Sequence, residues 1–349
     1  ILILTGRAGN GKTALLSELQ QILKNENSLY LSIKSDSFTI TSKESLSNNF
    51  EIDDLHEAIV QLSKKEQVVI LIDQLDALSL TLSSNREPIN IVLEFIQSLK
   101  GSENINIVIS IREYDLKNDP LLKKINDTNK ITMDLLSEEI VKDKLNVIIK
   151  KHGALPSTLL ELLRTPLHLS LFLELNFEDA SHTTIKTLQD LYQRFWEQKI
   201  LDKTVDKELQ KSTIELIDKI VVEIDSSKKI EVPKLYFEDD YPDAIYFLKS
   251  NHILLEQDNK FTFFHQTFYD YIFAKEFVKS RKSLFEYISN SDQSIEIRER
   301  IKQIVEFLRA TEPEKCLSQL EEILYSGNIR FHIKLLIISY LGNIDNPSE

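Results

Sequence analysis

Apolar and polar positions in the first third of the chain predict strands that alternate with helices. Five short apolar runs have the length of buried strands, namely residues 1–5, 28–33, 68–72, 105–111 and 130–133. Three intervening segments carry apolar side chains at helical spacing, namely residues 11–25, 53–64 and 87–99. A polar, serine-rich loop is expected at residues 34–49. This alternation predicts a parallel sheet with helices on both faces.

From Ser137 onward the apolar spacing becomes helical. Helices are expected over residues 137–153, 157–175, 187–203 and about 207–224, with Pro166 interrupting the second. The segments HILLEQ and KFTFFH alternate on either side of Asp258-Asn259, which predicts a β-hairpin. Helices beside this hairpin indicate a winged helix, and the helical segments after Ala274 indicate the start of a stacked array.

Composition indicates a globular protein with more than one domain. The 349 residues carry a net charge of −13 and a single cysteine, Cys316. One cysteine excludes an internal disulfide or a cysteine-based zinc site and fits a reducing cytoplasm. No apolar run has the length of a membrane helix, and the first residues lack the basic leader of a signal peptide. The acidic balance argues against a broad nucleic-acid-binding face. Acidic residues also outnumber basic ones between Asp206 and Arg281, so the predicted wing is expected to be structural.

The most specific motif lies directly after the first predicted strand. Eight residues fit G-x-x-x-x-G-K-[ST], namely Gly6, Arg7, Ala8, Gly9, Asn10, Gly11, Lys12 and Thr13, and a helix is expected to follow from there through Ala14. Backbone N–H groups in such a loop turn toward an anion, and the positive end of the helix dipole points at the same place. Lys12 is expected to reach the β- and γ-phosphates, and the Thr13 hydroxyl to ligate Mg²⁺. The motif therefore predicts an ATP or ADP site from Gly6 to Ala14.

Two acidic residues follow the third strand. Asp73 ends the apolar run VVILI, where a carboxylate can hold the Mg²⁺ water shell beside Thr13. Asp76 comes three residues later and is either a general base that polarises water or an acid that caps a helix or lies in a loop. Arg112 ends the next strand, where it either reaches the γ-phosphate or forms a surface ion pair with Glu113. Lys12, Asp73, Asp76 and Arg112 are the candidate catalytic residues.

The order of these motifs predicts the fold. One strand lies between the phosphate loop and Asp73 in the sequence, which is typical of additional-strand P-loop NTPases. The expected chain is an α/β P-loop NTPase domain followed by helical, winged-helix and repeat-array parts. Their predicted boundaries are residues 1–136, 137–205, 206–280 and 281–349.

Four segments, in this order, carry a family resemblance: LIDQLDALS, ISIREYDLKNDPLL, LLRTPLHL and FFHQTFYDYIFAKEF. From residue 1 to about residue 279 the chain resembles STAND NTPases of the NACHT type, and especially bacterial antiviral STAND proteins. The resemblance implies that Arg112 is a sensor arginine and that Pro166 packs beside the adenine. It implies that His265 contacts the β-phosphate and helps to hold a closed form. Gln74 and Ala77 depart from the NACHT pattern, which puts rapid hydrolysis in doubt.

The resemblance implies a molecular switch. ADP would hold the closed form, and a ligand sensed by a C-terminal array would admit ATP and drive self-association of N-terminal effectors, in antiviral defence. Because the first residue already reads as a buried strand, a preceding segment is expected, and the last helices indicate a continuing array. Direct binding to nucleic acid or membrane is not expected. Two alternatives stay open: a DNA-directed AAA+ ATPase, and a STAND-type transcription regulator.

Overall fold

The computed structural model describes nine stretches of the chain, namely residues 1–35, 40–80, 87–125, 129–153, 155–176, 184–204, 206–227, 229–293 and 297–342. The chain divides into two compact units, Ile1–Glu174 and Leu175–Glu349. The finer division into four domains stays a prediction.

The first unit is built on a five-stranded parallel sheet. Its strands are β1 (Leu2–Gly6), β2 (Leu29–Lys34), β3 (Val68–Asp73), β4 (Ile105–Arg112) and β5 (Asn129–Met133). Their order across the sheet is β2-β3-β4-β1-β5, and every neighbouring pair is parallel. The strand that carries the phosphate loop is thus separated from the strand that ends in Asp73 by β4. Because parallel strands end at one edge, Gly6, Asp73 and Arg112 share that edge.

Helices surround this sheet. They are α1 (Lys12–Asn25), α2 (Lys43–Asn48), α3 (Leu55–Ser63), α4 (Leu75–Leu80), α5 (Glu87–Leu99), α6 (Glu113–Asn118), α7 (Glu138–Lys144), α8 (Asn146–His152), α9 (Ser157–Leu163) and α10 (Pro166–Leu173), with a 3₁₀ turn at Leu122–Ile125. Ile70 and Ile72 pack in one apolar cluster with residues of α3 and α5, and Leu71 packs in another with residues of α1. The run VVILI is therefore buried on both faces, as predicted.

Two predictions for this unit are wrong in detail. Residues 34–49 contain α2, whose N-terminus is closed by reciprocal hydrogen bonds between Ser42 and Ser45. The single helix predicted over residues 137–153 is divided into α7 and α8 at Leu145. Leu145 is fully buried, and its φ of −93° and ψ of 5° depart from helical values, which separates the two helices. Part of the predicted 34–49 loop, residues 36–39, lies outside the described residues.

The second unit contains eight α-helices within its described residues, and a three-stranded antiparallel sheet of order β6-β8-β7. Its elements are α11 (Leu188–Trp196), a π-helical turn (Glu197–Leu201), α12 (Lys207–Ser227), β6 (Val232–Pro233), a 3₁₀ turn (Lys234–Tyr236), α13 (Pro242–Ser250), β7 (Leu254–Gln257), β8 (Lys260–Phe263), α14 (Gln266–Lys279), α15 (Leu284–Ser289), α16 (Ile297–Thr311), α17 (Pro313–Tyr325) and α18 (Phe331–Gly342). Asp258 and Asn259 both have positive φ, which matches a two-residue type I′ turn, and the predicted hairpin is confirmed.

A largely buried arginine connects three helices of the second unit. Arg300 on α16 donates to Asp225 on α12 at 2.8 Å and lies 3.8 Å from the buried Asp270 on α14. Its guanidinium also lies 5.1 Å from the ring centroids of Tyr269 and Phe273. This paired charge fixes how the three helices pack. In the part of the chain that the structure describes, none of the helices is both long and apolar enough to cross a bilayer.

Candidate nucleotide-binding site

The phosphate loop connects β1 to α1 with the geometry that the sequence predicts. Gly11 precedes α1 in the left-handed region, with φ of 86°. Lys12 begins the helix, and its Nζ donates to the carbonyl oxygens of Gly6 and Arg7, both at 2.9 Å. Burial lowers the pKa of Lys12, and the nearby carboxylate of Asp76 opposes that effect. The loop thus holds a partly desolvated ammonium group.

A side-chain hydrogen bond joins the phosphate loop to the edge strand β5. The Asn10 Nδ2 donates to the Met133 carbonyl oxygen at 2.7 Å. A cavity of about 470 Å³ opens beside this contact and is lined by Arg7, Asn10, Glu113, Thr132, Met133, Asp134, Leu135 and Arg164. Space that adjoins the phosphate loop can accept further parts of a ligand bound there.

The loop also contacts the start of α10. The Leu167 N–H donates to the Gly9 carbonyl oxygen at 3.1 Å. Gly9 has φ of 80°, and a Cβ placed there would lie 3.1 Å from Thr165 Cγ2 and 3.2 Å from Leu167 Cβ. Pro166 lies between these two residues as the first residue of α10. The structure therefore brings Pro166 to the phosphate loop, while its predicted contact with adenine stays a prediction.

Replacing Gly9 by alanine should destabilise the fold by more than the backbone strain of about 1–2 kcal/mol. An alanine at this position would have to adopt a left-handed backbone conformation, and in addition its Cβ would lie too close to Thr165. Gly101 is a matched control, because its φ is 88° and a Cβ there meets nothing within 4 Å. Denaturant unfolding of Gly9→Ala and Gly101→Ala measures the difference. Equal losses of stability would contradict the close contact with α10.

Asp73 lies at the carboxyl end of β3 and is 7% exposed. Its Oδ1 accepts a hydrogen bond from the hydroxyl of Ser110 on β4 at 2.5 Å. Ser110 in turn accepts from the backbone N–H of Gln74 at 2.8 Å. Gln74 has φ of 53°, and its side-chain amide lies 3.4 Å from the Thr13 hydroxyl. These contacts join the two predicted Mg²⁺ ligands, Thr13 and Asp73, through two residues that motif reasoning did not assign.

Asp76 and Arg112 form a pair. Asp76 is 2% exposed, and it accepts from the Arg112 backbone N–H at 3.0 Å and lies 3.2 Å from Arg112 Nε. Glu113, the alternative partner of Arg112, instead pairs with Lys117. Asp76, the candidate general base, therefore binds Arg112, the candidate sensor arginine.

The residues present fit Mg²⁺ and a nucleotide. Mg²⁺ keeps several waters and takes only one or two carboxylates from the protein, so Thr13 and Asp73 are a sufficient set. The carboxylates of Asp76, Asp73 and Asp115 raise the pKa of Lys12 and Arg112 lowers it, but burial has the largest effect. A phosphate would give the partly desolvated Lys12 ammonium a charged acceptor in place of carbonyl oxygens.

His265 lies in the second unit, at the N-terminus of α14. Its Nδ1 accepts from the Thr267 backbone N–H at 3.1 Å and contacts the Thr267 hydroxyl at 2.8 Å. That hydroxyl also bonds to the buried Tyr192 hydroxyl. Because a backbone N–H can only donate, Nδ1 carries no proton, so a neutral ring carries its proton on Nε2. The ring is thus oriented within this unit, and its contact with nucleotide stays a prediction.

Sequence reasoning missed Ser110 and the Leu167 contact. A polar residue inside the apolar run of β4 was the available signal for Ser110, which is fully buried. The Leu167 bond uses only backbone atoms, so no side-chain pattern marks it.

Comparison with known proteins finds a family match for most of the first unit. The family described as Novel STAND NTPase 3 matches residues 1–154. No curated protein matches the sequence. Among solved structures, the Walker-type ATPase PABY2304 of Pyrococcus abyssi is 16% identical, with a TM-score of 0.35 over 77% of this chain and 89% of that one. A chain of the HORMA:CdnC:Trip13 complex of E. coli MS115-1 is 17% identical, with a TM-score of 0.34 over 56% and 72%. The family match therefore supports a STAND-class P-loop NTPase over residues 1–154, which contain the phosphate loop.

Proposed function

We propose that the chain is a nucleotide-dependent switch that binds ADP or ATP with Mg²⁺ at the phosphate loop. The observation that carries this proposal is the Lys12 ammonium, which is partly desolvated and held by two backbone carbonyl oxygens. Asp73 lies at the same edge of the sheet, as a metal-binding carboxylate must. A phosphate group would take over the lysine contacts at this edge.

The residues around the loop have different roles in the proposed binding and hydrolysis of nucleotide. Bound Mg²⁺ would supply positive charge that neutralises the phosphates. Thr13 and Asp73 would hold it, Lys12 would bind the β- and γ-phosphates, and the loop N–H groups would bind the remaining oxygens. Asp76 fixes Arg112 at the end of β4, from where the guanidinium can reach the terminal phosphate. With Asp76 engaged in this pair, we expect hydrolysis to be slow.

The contact between the loop and α10 supports a switching role. Because Leu167 donates to Gly9, a shift of the loop on exchange of nucleotide would act on α10. In the proposed cycle, Pro166 and His265 hold the ADP form, and ATP favours an open form that self-associates. A ligand with unequal affinity for two states shifts their populations in this way.

The remaining parts of the proposal rest on the family resemblance. The order α12, β6, α13, β7 and β8 supports a winged helix, and α16 to α18 support the start of a helical array. Sensing of a ligand, possession of an N-terminal effector, a cytoplasmic location and a role in bacterial antiviral defence extend the proposal from the STAND class.

The first test of this function identifies the resident nucleotide. The protein is purified without added nucleotide and denatured, and the released compounds are separated by chromatography. We expect one ADP for each chain, which is the signature of a closed switch. An empty site combined with rapid turnover of added ATP would contradict the switch and favour an ordinary ATPase.

His265→Ala should weaken ADP binding more than ATP binding. A hydrogen bond to a charged phosphate contributes about 1.5–3 kcal/mol, so the expected loss for ADP is about 10- to 150-fold. His56→Ala is a control, because His56 is exposed on α3 in the first unit. Titration calorimetry with each nucleotide measures both constants, and an equal loss for ADP and ATP would contradict the clamp.

A further inference from the structure

Both proposed metal ligands have a supporting partner, and these two partners are bonded to each other. Ser110 contacts Asp73, and the Gln74 side chain contacts Thr13. The Gln74 backbone N–H donates to Ser110, which links the two contacts. The network connects the start of α1, the carboxyl end of β3 and the carboxyl-terminal part of β4.

The direction of each bond follows from the donors. The Gln74 N–H can only donate, so Ser110 Oγ accepts this hydrogen bond. The Ser110 hydroxyl donates its own proton to Asp73 Oδ1. The other carboxylate oxygen, Oδ2, would then be the one that holds Mg²⁺ or its bound water. The Gln74 Nε2 donates to Thr13 Oγ1, and the hydroxyl keeps a second lone pair for a metal.

Burial and backbone geometry indicate that the fold itself holds Ser110 and Gln74 in this arrangement. Ser110 is fully buried in an otherwise apolar strand, and Gln74 adopts φ of 53°, which is uncommon for a residue with a side chain. The left-handed conformation directs the Gln74 N–H to Ser110 while its side chain reaches Thr13. Strained backbone of this kind is concentrated at functional sites.

We propose that Ser110 and Gln74 are positioning residues for the metal, in that Ser110 orients the Asp73 carboxylate and Gln74 orients the Thr13 hydroxyl. This inference rests on the proposed binding of nucleotide with Mg²⁺. Partners that orient metal ligands fix the ligand geometry before the metal arrives, and their loss costs about 10- to 100-fold in metal affinity or activity.

The test separates binding that needs the metal from binding that does not. The affinity for β,γ-imido-ATP is measured by calorimetry, once in EDTA and once in excess Mg²⁺. The variants are Ser110→Ala and Gln74→Gly, of which the second keeps the left-handed backbone and the N–H bond to Ser110. Ser63→Ala is the control, because Ser63 is a buried serine that bonds to the Val60 carbonyl oxygen in α3.

We expect each variant to weaken Mg²⁺-dependent binding by about 10- to 100-fold, with binding in EDTA unchanged. Ser63→Ala should behave as the parent protein does. Unchanged Mg²⁺ dependence in Gln74→Gly, or an equal loss in EDTA and Mg²⁺, would overturn the inference. If the parent protein binds the analogue but Mg²⁺ has no effect, the inference fails while nucleotide binding stands. If the parent protein binds nothing, the proposed function fails as well.

Discussion

Lys12→Ala should weaken the binding of ADP and ATP by about 30- to 5000-fold, which corresponds to about 2–5 kcal/mol for the loss of one partner from a desolvated charge pair. The Lys12 side chain is buried, and its ammonium group donates to the carbonyl oxygens of Gly6 and Arg7. A phosphate in the loop of the variant would lose the Lys12 ammonium and face the carbonyl oxygens of Gly6 and Arg7 instead. Calorimetric titration with each nucleotide measures the loss.

The fold should survive this change. Lys24→Ala is the matched control, because Lys24 is exposed in the last turn of the same helix. It should bind nucleotide as the parent protein does. Nucleotide affinity retained by a folded Lys12→Ala protein would place the ligand elsewhere and overturn the proposed site.

Asp76→Ala should lower the free energy of unfolding by about 3–5 kcal/mol, because removing one partner leaves a poorly hydrated charge without its counterion. Asp76 is 2% exposed, while the side chain of Arg112 is 23% exposed. The variant also removes the acceptor for the Arg112 backbone N–H. Urea unfolding measures the change in free energy.

Three further variants complete the test of the Asp76–Arg112 pair, one as a stability control and two to assign its role. Asp53→Ala removes an exposed acid and should alter stability by less than about 0.5 kcal/mol. Asp76→Asn keeps an acceptor for the Arg112 N–H but can neither pair with the guanidinium as a charge nor take a proton. If Asp76 only holds Arg112, Asp76→Asn and Arg112→Ala should slow single-turnover hydrolysis by similar factors. A much larger loss for Asp76→Asn would identify the acid as the general base.

The sheet and the phosphate loop were predictable because each rests on local sequence. The motif from Gly6 to Thr13 fixes its own turn, and the run VVILI is apolar on both faces because both faces are covered. Pro166 marked the start of α10 for the same local reason, since proline is favoured in the first turn of a helix.

Features that depend on distant residues were not predictable. The division of residues 137–153 lies at the buried Leu145, whose non-helical ψ is not marked by the helical spacing of the sequence. The partner of Arg112 was expected to be its neighbour Glu113 or a phosphate, whereas the fold pairs it with Asp76, 36 residues earlier. Gln74 was noted only as a departure from a pattern, and its contacts with Ser110 and Thr13 exist only once β3, β4 and α1 are assembled.

The backbone hydrogen bond between Leu167 and Gly9 has a consequence for how this phosphate loop can be moved into another protein. A fragment ending at residue 154, where the family match ends, would carry the phosphate motif but lose α9 and α10. Its Gly9 carbonyl oxygen would face solvent, and the space filled by Thr165 and Leu167 would be open. We therefore expect a chimera that receives this phosphate loop to need the segment through Glu174 as well, since the loop and α10 lie in one compact unit.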